Sequence, residues 1–338
     1  MHAIAHQKNN TTLRFIKIAC NNSEKQRSRH LKATECMQCV TQLHARSTAH
    51  RTGDKMKLIS FEHAGQPAWG MLRDAEVVPL TRYWPDLATA LAAGVAQIAQ
   101  AAARHEGPGI ALADLQWLPP VPAPRKILCV GLNYGRHVAE AGRELPRHPS
   151  LFARYPDSFV GHGAPVWKPR ASERFDYEGE LAVVIGRAGR HIAARDALAH
   201  VAGYTCMAEN SVRDFQKHNA QVTPGKNFER SGAIGPWLVT ADEIGDPARL
   251  RIETRLNGET VQQGELADLI FPIPELIAYI SAFTPLAPGD VIATGTPEGV
   301  GAGRQPPRFL AAGDTLEIEV PGVGTLRNTV ADEPVHPQ

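Results

Sequence analysis

Two glutamates separated by one glycine are the first candidates for chemistry in this sequence. Glu178 and Glu180 flank Gly179 and stand directly before the apolar, β-branched run Leu181–Ile185, which favours a buried strand. Because side chains alternate faces along a strand, both carboxylates are expected on the same face. Two like charges side by side are tolerated when water solvates them or when a cation lies between them. The pair alone therefore leaves a solvated strand end and a metal site both open.

A third acid and a lysine could join this pair. Glu209 ends a second apolar strand pattern, 203–208, which follows a segment, 193–201, that we predict as a helix. A carboxylate at the end of a strand after such a crossover can meet the first two acids. Lys226 is the one lysine of a polar loop, 223–228.

A histidine and a glutamate lie three residues apart in a predicted short helix, 135–142. This spacing places His137 and Glu140 on one helix face. A carboxylate beside an imidazole orients the ring and raises its basicity, as a general base requires. A solvent-exposed Glu–His pair is the alternative.

The glycine-rich segment 294–301, Thr-Gly-Thr-Pro-Glu-Gly-Val-Gly, follows a strand pattern at 291–293. It lacks the Gly-Lys-Ser/Thr ending of a phosphate-binding loop, and its glycines do not match G-x-G-x-x-G. Its backbone N–H groups could still hold a carboxylate or an oxyanion.

Composition excludes several classes of partner. The chain of 338 residues has a net charge of +1, so neither nucleic acid nor an anionic membrane is expected to bind it. No apolar stretch is long enough to span a bilayer. Five scattered cysteines fit a reducing cytoplasm better than a disulfide framework.

The distribution of charge and a proline-rich stretch divide the chain into three parts. Residues 1–55 contain ten Lys/Arg and three Asp/Glu with no sustained apolar periodicity, which predicts a disordered basic extension. Residues 56–120 predict a small α+β domain with one helix over 86–104, capped by Asp86. The proline-rich stretch 117–124 marks the boundary to a larger domain, 121–331.

The larger domain is predicted to be mostly β. Strand patterns outnumber helices from Val121 onward, and Asn257-Gly258 between two β-prone runs predicts a hairpin. We therefore expect an α+β protein with a strongly curved, mixed sheet and not a doubly wound α/β fold.

Several separated motifs resemble those of the fumarylacetoacetate hydrolase superfamily, in the same order. They are Asn133-Tyr134-x-x-His137-x-x-Glu140, Glu178-Gly179-Glu180-Leu181, Gly203-Tyr204-Thr205, Arg213-Asp214-x-Gln216, Lys226 and Pro288-Gly289-Asp290 with Thr294-Gly295-Thr296-Pro297-x-Gly299-Val300-Gly301. The resemblance runs from about residue 126 to residue 330, and residues 56–120 look like the small N-terminal domain of bacterial members.

This resemblance implies a β-roll-like catalytic domain, a homodimer and a divalent cation, commonly Mg²⁺, bound by three acids. The matching positions are Glu178, Glu180 and Glu209, the last standing where relatives typically have Asp. All-carboxylate ligation suits Mg²⁺, Mn²⁺ or Ca²⁺ better than zinc.

The same resemblance assigns roles to further residues. The catalytic positions are His137, Glu140 and Lys226, with the helix of the first two ordering as a lid in relatives. The positions near the substrate are Arg154, Arg213, Gln216 and Thr296. Arg154 stands where many relatives carry lysine, which keeps the charge but changes its geometry.

These parts support more than one reaction on a dicarboxylic or diketo acid. The main expectation is a hydrolase that cleaves a C–C bond of an acylpyruvate or 1,3-diketo acid in aromatic catabolism, with His137 activating water. The alternative is an isomerase or decarboxylase acting on a 2-hydroxyhepta-2,4-diene-1,7-dioate- or oxaloacetate-like diacid. A catalytically silent relative is the third possibility, which the complete set of acids and the His–Glu pair argue against.

Overall fold

The structure is a computed structural model that describes residues 56–335 of the chain. The predicted basic extension, residues 1–55, lies outside the described residues. The described part is mostly β, with mixed sheets and few helices, as expected from the sequence. None of its helices has the length and apolar character needed to cross a bilayer.

The strands follow one another along the chain from the N-terminal region to the C-terminus. They are β1 (Lys57–His63), β2 (Gln66–Arg73), β3 (Glu76–Pro79), β4 (Ile110–Ala111), β5 (Gln116–Leu118), β6 (Ile127–Gly131), β7 (Ser150–Arg154), β8 (Phe159–Val160), β9 (Val166–Lys168), β10 (Phe175–Asp176), β11 (Gly179–Ile185), β12 (Val201–Ala208), β13 (Ser211–Val212), β14 (Gly232–Thr240), β15 (Arg251–Leu256), β16 (Glu259–Glu265), β17 (Val291–Ala293), β18 (Thr315–Val320) and β19 (Gly324–Asp332).

The helices are short and lie between the strands. The α-helices are α1 (Leu87–Ala93), α2 (Val95–Ala103), α3 (Gly135–Glu140), α4 (Arg213–Gln216), α5 (Thr223–Lys226), α6 (Ala241–Ile244) and α7 (Ile273–Phe283). The 3₁₀ helices are Leu112–Asp114, Pro156–Ser158, Ala194–His200, Pro247–Arg249, Leu266–Asp268 and Gly301–Gly303.

A large mixed sheet carries most of the strands. Its order is β4-β3-β2-β1-β14-β12-β11-β17-β6-β7, with β5 beside β1 and β8 beside β14. The neighbours β11 and β12 are antiparallel and buried along their whole length. Because both faces of these strands are covered, their side chains are mostly apolar, and the acids lie at one end of the strand pair.

A second sheet, β16-β15-β18-β19-β9, packs beside the start of β11. Gly179 lies at this contact, where a Cβ atom would collide with Thr254 and approach Ile318 of the second sheet. The glycine between the two acids therefore permits close packing of the sheets, which brings the acids to the seam between them.

The small N-terminal region, residues 56–120, extends the large sheet through the pairing of β1 with β14. Its helix differs from the prediction of one continuous helix over 86–104. Gly94, at φ 105°, ends α1 and precedes α2, because this backbone conformation lies outside the α-helical region. Asp86 does cap α1, since its Oδ1 accepts from the Thr89 amide at 2.7 Å.

The segment predicted as an α-helix at 193–201 is instead the 3₁₀ helix Ala194–His200. Its first turn has no side-chain cap. The chain enters β12 directly at Val201. The loop predicted at 223–228 contains α5, whose last residue is Lys226.

Candidate metal and active site

The three predicted acids come together in the fold. The antiparallel register of β11 and β12 sets Gly179 opposite Ala208, so Glu178 and Glu180 meet Glu209 at one end of the strand pair. One carboxylate oxygen from each residue lies within 4.8 Å of the others. All three side chains are buried, which removes the solvated strand end as an explanation of the Glu178–Glu180 pair.

Three basic side chains surround these acids. Lys226 lies between two of them, with its Nζ 3.1 Å from Glu178 Oε1 and in contact with Glu209 Oε2. Arg213 donates from Nη1 to Glu178 Oε1 at 2.7 Å, and Arg154 donates from Nη1 to Glu209 Oε1 at 2.9 Å. The cluster is thus a buried network of opposite charges.

Charge in this network is unevenly distributed. Burial alone would raise the pKa of Glu178, but the charges of Lys226 and Arg213 outweigh it and hold the pKa well below its usual range. Burial and the neighbouring charges of Glu209 and Glu178 raise the pKa of Glu180 well above its usual range. Burial also raises the pKa of Glu209 despite the opposing effect of Lys226. One more positive charge would relieve this repulsion.

The donor set fits a hard divalent cation. Three buried carboxylates within 4.8 Å of one another supply oxygen ligands, the type that Mg²⁺, Mn²⁺ and Ca²⁺ prefer. Both oxygens of Glu209 are held, by Arg154 and by Lys226. Glu178 and Glu180 each have one oxygen held by the protein: Oε1 of Glu178 by Ser211 and Arg213, and Oε2 of Glu180 by the Gly295 amide at 2.7 Å. The other oxygen of each of these two side chains is left for a cation.

The predicted His–Glu pair forms at helix α3. His137 Nδ1 and Glu140 Oε2 are 3.0 Å apart, and Glu140 Oε1 accepts from the Gly299 amide at 2.9 Å. Burial would raise the pKa of Glu140, but the hydrogen bonds from His137 and Gly299 outweigh it and lower the pKa. An ionised Glu140 therefore orients the imidazole and leaves Nε2 as the proton acceptor.

The glycine-rich loop supports the acids directly. Besides the Gly295 amide on Glu180, Thr296 Oγ1 donates to the Gly179 carbonyl at 2.8 Å. Gln262 donates to Thr296 and accepts from the Gly179 amide. Both Gly295 N–H and Thr296 O–H are thus already used within the protein, so the oxyanion role expected of this segment has to come from other donors.

Arg213 has a donor nitrogen without a partner among the described residues. Its Nε donates to Asp176 and its Nη1 to Glu178 and to Gln216 Oε1 at 3.0 Å. Its Nη2 is buried without a hydrogen-bond partner in the described part of the chain. A buried guanidinium nitrogen with no acceptor is a candidate ligand for a carboxylate of the substrate.

Arg154 has a different environment from that expected of a substrate-binding residue. Its side chain has no exposed surface and is enclosed among Glu209, Ser158, Ser231 and the Asn210 carbonyl. This position favours a contact with the acid over a contact with the substrate.

Sequence reasoning missed three supporting residues. Asp176 is fully buried and accepts from Arg213 Nε at 2.7 Å and from the Gly301 and Ala302 amides. Asn133 ties the loop before α3 to Thr294 and Phe271, and Gln262 ties β16 to β11. Two of these residues could have been found from their position in the sequence. Asn133 lies in the motif that contains His137, and Asp176 lies two residues before Glu178.

The buried acids and the His–Glu pair are the parts of a candidate metal and active site, and comparison with family models identifies the class of protein. The model described as fumarylacetoacetate (FAA) hydrolase C-terminal matches residues 126–331, and the model described as Rv2993c-like, N-terminal matches residues 56–120. The chain belongs to the fumarylacetoacetate hydrolase family.

Two similar proteins within this family are named as oxaloacetate tautomerases. The chain is 44% identical over 223 residues to oxaloacetate tautomerase YisK of Bacillus subtilis (strain 168), covering 65% of this chain and 74% of that protein. It is 42% identical over 235 residues to the human mitochondrial oxaloacetate tautomerase FAHD2A, covering 69% of this chain and 75% of that protein.

A solved structure of a maleylpyruvate hydrolase from Sphingobium sp. SYK-6, in complex with manganese(II) and pyruvate, is also similar. The sequence identity is 29%, the TM-score is 0.69, and the match covers 82% of this chain and 100% of that chain. Members of the family thus bind a divalent metal, and the family contains both tautomerases and hydrolases.

Proposed function

We propose that this protein is a divalent-metal-dependent tautomerase that interconverts the enol and keto forms of oxaloacetate or a closely similar 2-oxo dicarboxylic acid. The observation that carries this proposal is the 44% identity to a bacterial protein named for that activity, supported by the human relative of the same name. The isomerase alternative from the sequence is therefore preferred over the C–C hydrolase.

The reaction requires one proton to move between carbon and oxygen. In the keto direction, the enol oxygen loses its proton and C3 gains one; the carbon skeleton and the oxidation state stay unchanged. His137 is the candidate for this transfer, because Glu140 fixes its Nδ1 and leaves Nε2 to give or take the proton. The Glu140–Gly299 hydrogen bond keeps this pair in one orientation.

The charged groups of the site suit a dianionic substrate. Arg213 Nη2 can donate to one carboxylate of the substrate, and the Lys226 ammonium can stabilise negative charge on the enolate oxygen. Burial lowers the pKa of Lys226, but Glu178 and Glu209 outweigh this effect and raise it, so the ammonium stays charged. A cation held by the three acids would act as a Lewis acid toward the 2-oxo group.

Hydrolysis of an acylpyruvate is the second candidate, because the similar solved structure is named a maleylpyruvate hydrolase. That reaction uses the same base to activate water and then breaks a C–C bond. The two functions differ in whether a water molecule is held beside His137 when the substrate is bound.

Product analysis separates the candidates. Protein loaded with Mn²⁺ is incubated with enol-oxaloacetate, with an acylpyruvate and with a dienedioate, and the products are measured by NMR. We expect keto-oxaloacetate to form with four carbons retained and without excess pyruvate. Cleavage of the acylpyruvate into two acids, with no acceleration of oxaloacetate tautomerisation, would replace this proposal by the hydrolase.

Three properties stay predictions. A homodimer is expected and can be tested by size-exclusion chromatography with light scattering. Mg²⁺ is the cation first expected, with Mn²⁺ or Ca²⁺ as alternatives, and metal analysis of the purified protein tests this order. A cytoplasmic location is expected and is tested by cell fractionation.

A further inference from the structure

Arg154 uses its whole guanidinium group inside the protein. Its five hydrogen bonds go from Nη1 to Glu209 Oε1 (2.9 Å) and the Asn210 carbonyl (3.2 Å), from Nε to Ser158 Oγ (3.2 Å), and from Nη2 to Ser231 Oγ (2.9 Å) and the Ser158 carbonyl (3.4 Å). An arginine has five N–H donors, so none is left for a substrate.

The partners of Arg154 are themselves fixed. The guanidinium carbon lies 4.2 Å from the centroid of the Phe159 ring. Ser158 Oγ donates to the Tyr155 carbonyl and Ser231 Oγ to the Phe228 carbonyl, both at 2.7 Å. The planar group is therefore held from several directions, and it can hold another group in turn.

Arg154 holds one of the two carboxylate oxygens of Glu209, and Lys226 contacts the other. Oε1 of Glu209 pairs with Arg154, whereas Oε2 faces Lys226 inside the acid cluster. At Glu178 and Glu180, Arg213 and the Gly295 amide each hold one oxygen. In each of the three acids, at least one carboxylate oxygen is therefore held by a donor of the protein.

We propose that Arg154 is a positioning residue for the metal site: by holding Oε1 of Glu209, it fixes the orientation of a carboxylate whose Oε2 contacts Lys226 inside the acid cluster. Glutamate has three side-chain torsions, and without this anchor the carboxylate can rotate away from the other two acids. A lysine at this position has one donor centre and cannot replace the bonds to Glu209, Asn210, Ser158 and Ser231 together. This inference rests on the proposed metal site.

The test measures metal affinity of the full-length protein and not catalysis. Protein stripped with EDTA is titrated with MnCl₂ by isothermal calorimetry as wild type, Arg154→Lys, Glu209→Asp and the double variant. We expect Arg154→Lys to weaken binding about 10–100-fold, the usual effect of losing a group that orients a metal ligand. The double variant should lose less than the product of the two single losses, because the residues act as one unit.

Arg255→Lys is the matched control. Arg255 pairs with Glu253, Glu317 and Glu319 in the second sheet, so the same chemical change breaks ion pairs outside the acid cluster. It should leave Mn²⁺ affinity unchanged. Wild-type affinity in Arg154→Lys, in protein with a native circular dichroism spectrum, would overturn the inference.

Two further variants distinguish a failure of the positioning role from a failure of the proposed metal site. If Arg154→Lys does not fold, Ser231→Ala removes one anchor of the guanidinium, and it should cause a smaller but measurable loss of affinity; an unchanged affinity overturns the inference. Glu180→Gln tests the metal site itself. If Glu180→Gln binds Mn²⁺ as well as wild type, the proposed metal site is wrong, whereas failure of the Arg154 variants alone rejects only the positioning role.

Discussion

Glu180→Gln should make the metal-free protein more stable and the metal-loaded protein less stable than wild type. Glu180 is buried beside two other acids, and their charges together with burial raise its pKa. Glutamine has nearly the same shape, and its Oε1 can still accept the hydrogen bond that the Gly295 amide gives to Glu180. The substitution therefore removes a charge without leaving that amide unpaired.

Two limits bound the size of this effect. Two unit charges 4.8 Å apart repel by about 3.5 kcal/mol at an effective dielectric constant of 20. The cost of keeping Glu180 charged cannot exceed that of protonating it, which is about 3.4 kcal/mol at pH 7 for a carboxyl with a usual pKa of 4.5. Because Lys226 offsets part of the repulsion, we expect about 1–3 kcal/mol of stabilisation without metal.

Differential scanning calorimetry measures the melting temperature of the metal-free and the metal-loaded protein. In EDTA, the melting temperature of Glu180→Gln should rise by roughly 1–2 °C for each kcal/mol gained in a chain of this length. In Mn²⁺ at a concentration 100 times the wild-type Kd, wild type gains about 2.7 kcal/mol from binding, and the variant gains little. Glu259→Gln, an exposed partner of Arg304, is the control and should change neither state. A lower melting temperature of Glu180→Gln in EDTA would refute the electrostatic reasoning.

Three further predictions follow from the site. Glu140→Gln should lower the tautomerisation rate at least roughly 100-fold while leaving Mn²⁺ affinity unchanged, because it disturbs the His137 base and not the acids; equal rates in stopped-flow assays would exclude the dyad. Asp176→Asn should raise KM more than it lowers kcat, since Asp176 orients Arg213; steady-state kinetics showing only a lower kcat would contradict this. Mn²⁺ affinity should fall as the pH is lowered, at pH values above 4.5, because burial and repulsion raise the pKa of Glu180 and protons compete with the cation; pH-independent calorimetric affinity would be inconsistent with that shift.

Local patterns in the sequence predicted much of the site. The Glu178–Glu180 pair follows from strand periodicity, and the His137–Glu140 pair follows from helix spacing, so both depend on a few neighbouring residues. The hairpin at Asn257-Gly258 is similarly local and is present between β15 and β16, with both residues at positive φ. The mostly-β fold was also predicted, from strand patterns and from the family resemblance.

Contacts between distant segments could not be predicted in the same way. Asp176 binds amides at Gly301 and Ala302, and Gln262 binds the Gly179 amide, through pairings that only the packed sheets create. Arg154 was expected near the substrate because its position resembles a family lysine. Its burial depends on Ser158 and Ser231, whose proximity the sequence does not reveal.

The prediction of one continuous helix over 86–104 was wrong because the chain forms two helices there, α1 and α2. The alanine-rich composition of this segment favours a helix throughout, but Gly94 allows the backbone to leave the helical region between α1 and α2. A single glycine in a helical pattern is compatible with either outcome, and tertiary packing decides between them.

The most direct test of the central proposal is the decay of the ultraviolet absorbance of enol-oxaloacetate in a stopped-flow instrument. Wild-type protein with Mn²⁺ should accelerate the decay far above the rate in buffer with Mn²⁺ alone, and EDTA or Glu180→Gln should abolish the acceleration. Malate dehydrogenase added afterwards should recover the product as four-carbon malate. A decay no faster than in buffer with Mn²⁺, in protein shown by calorimetry to bind the metal, would contradict the proposed tautomerase.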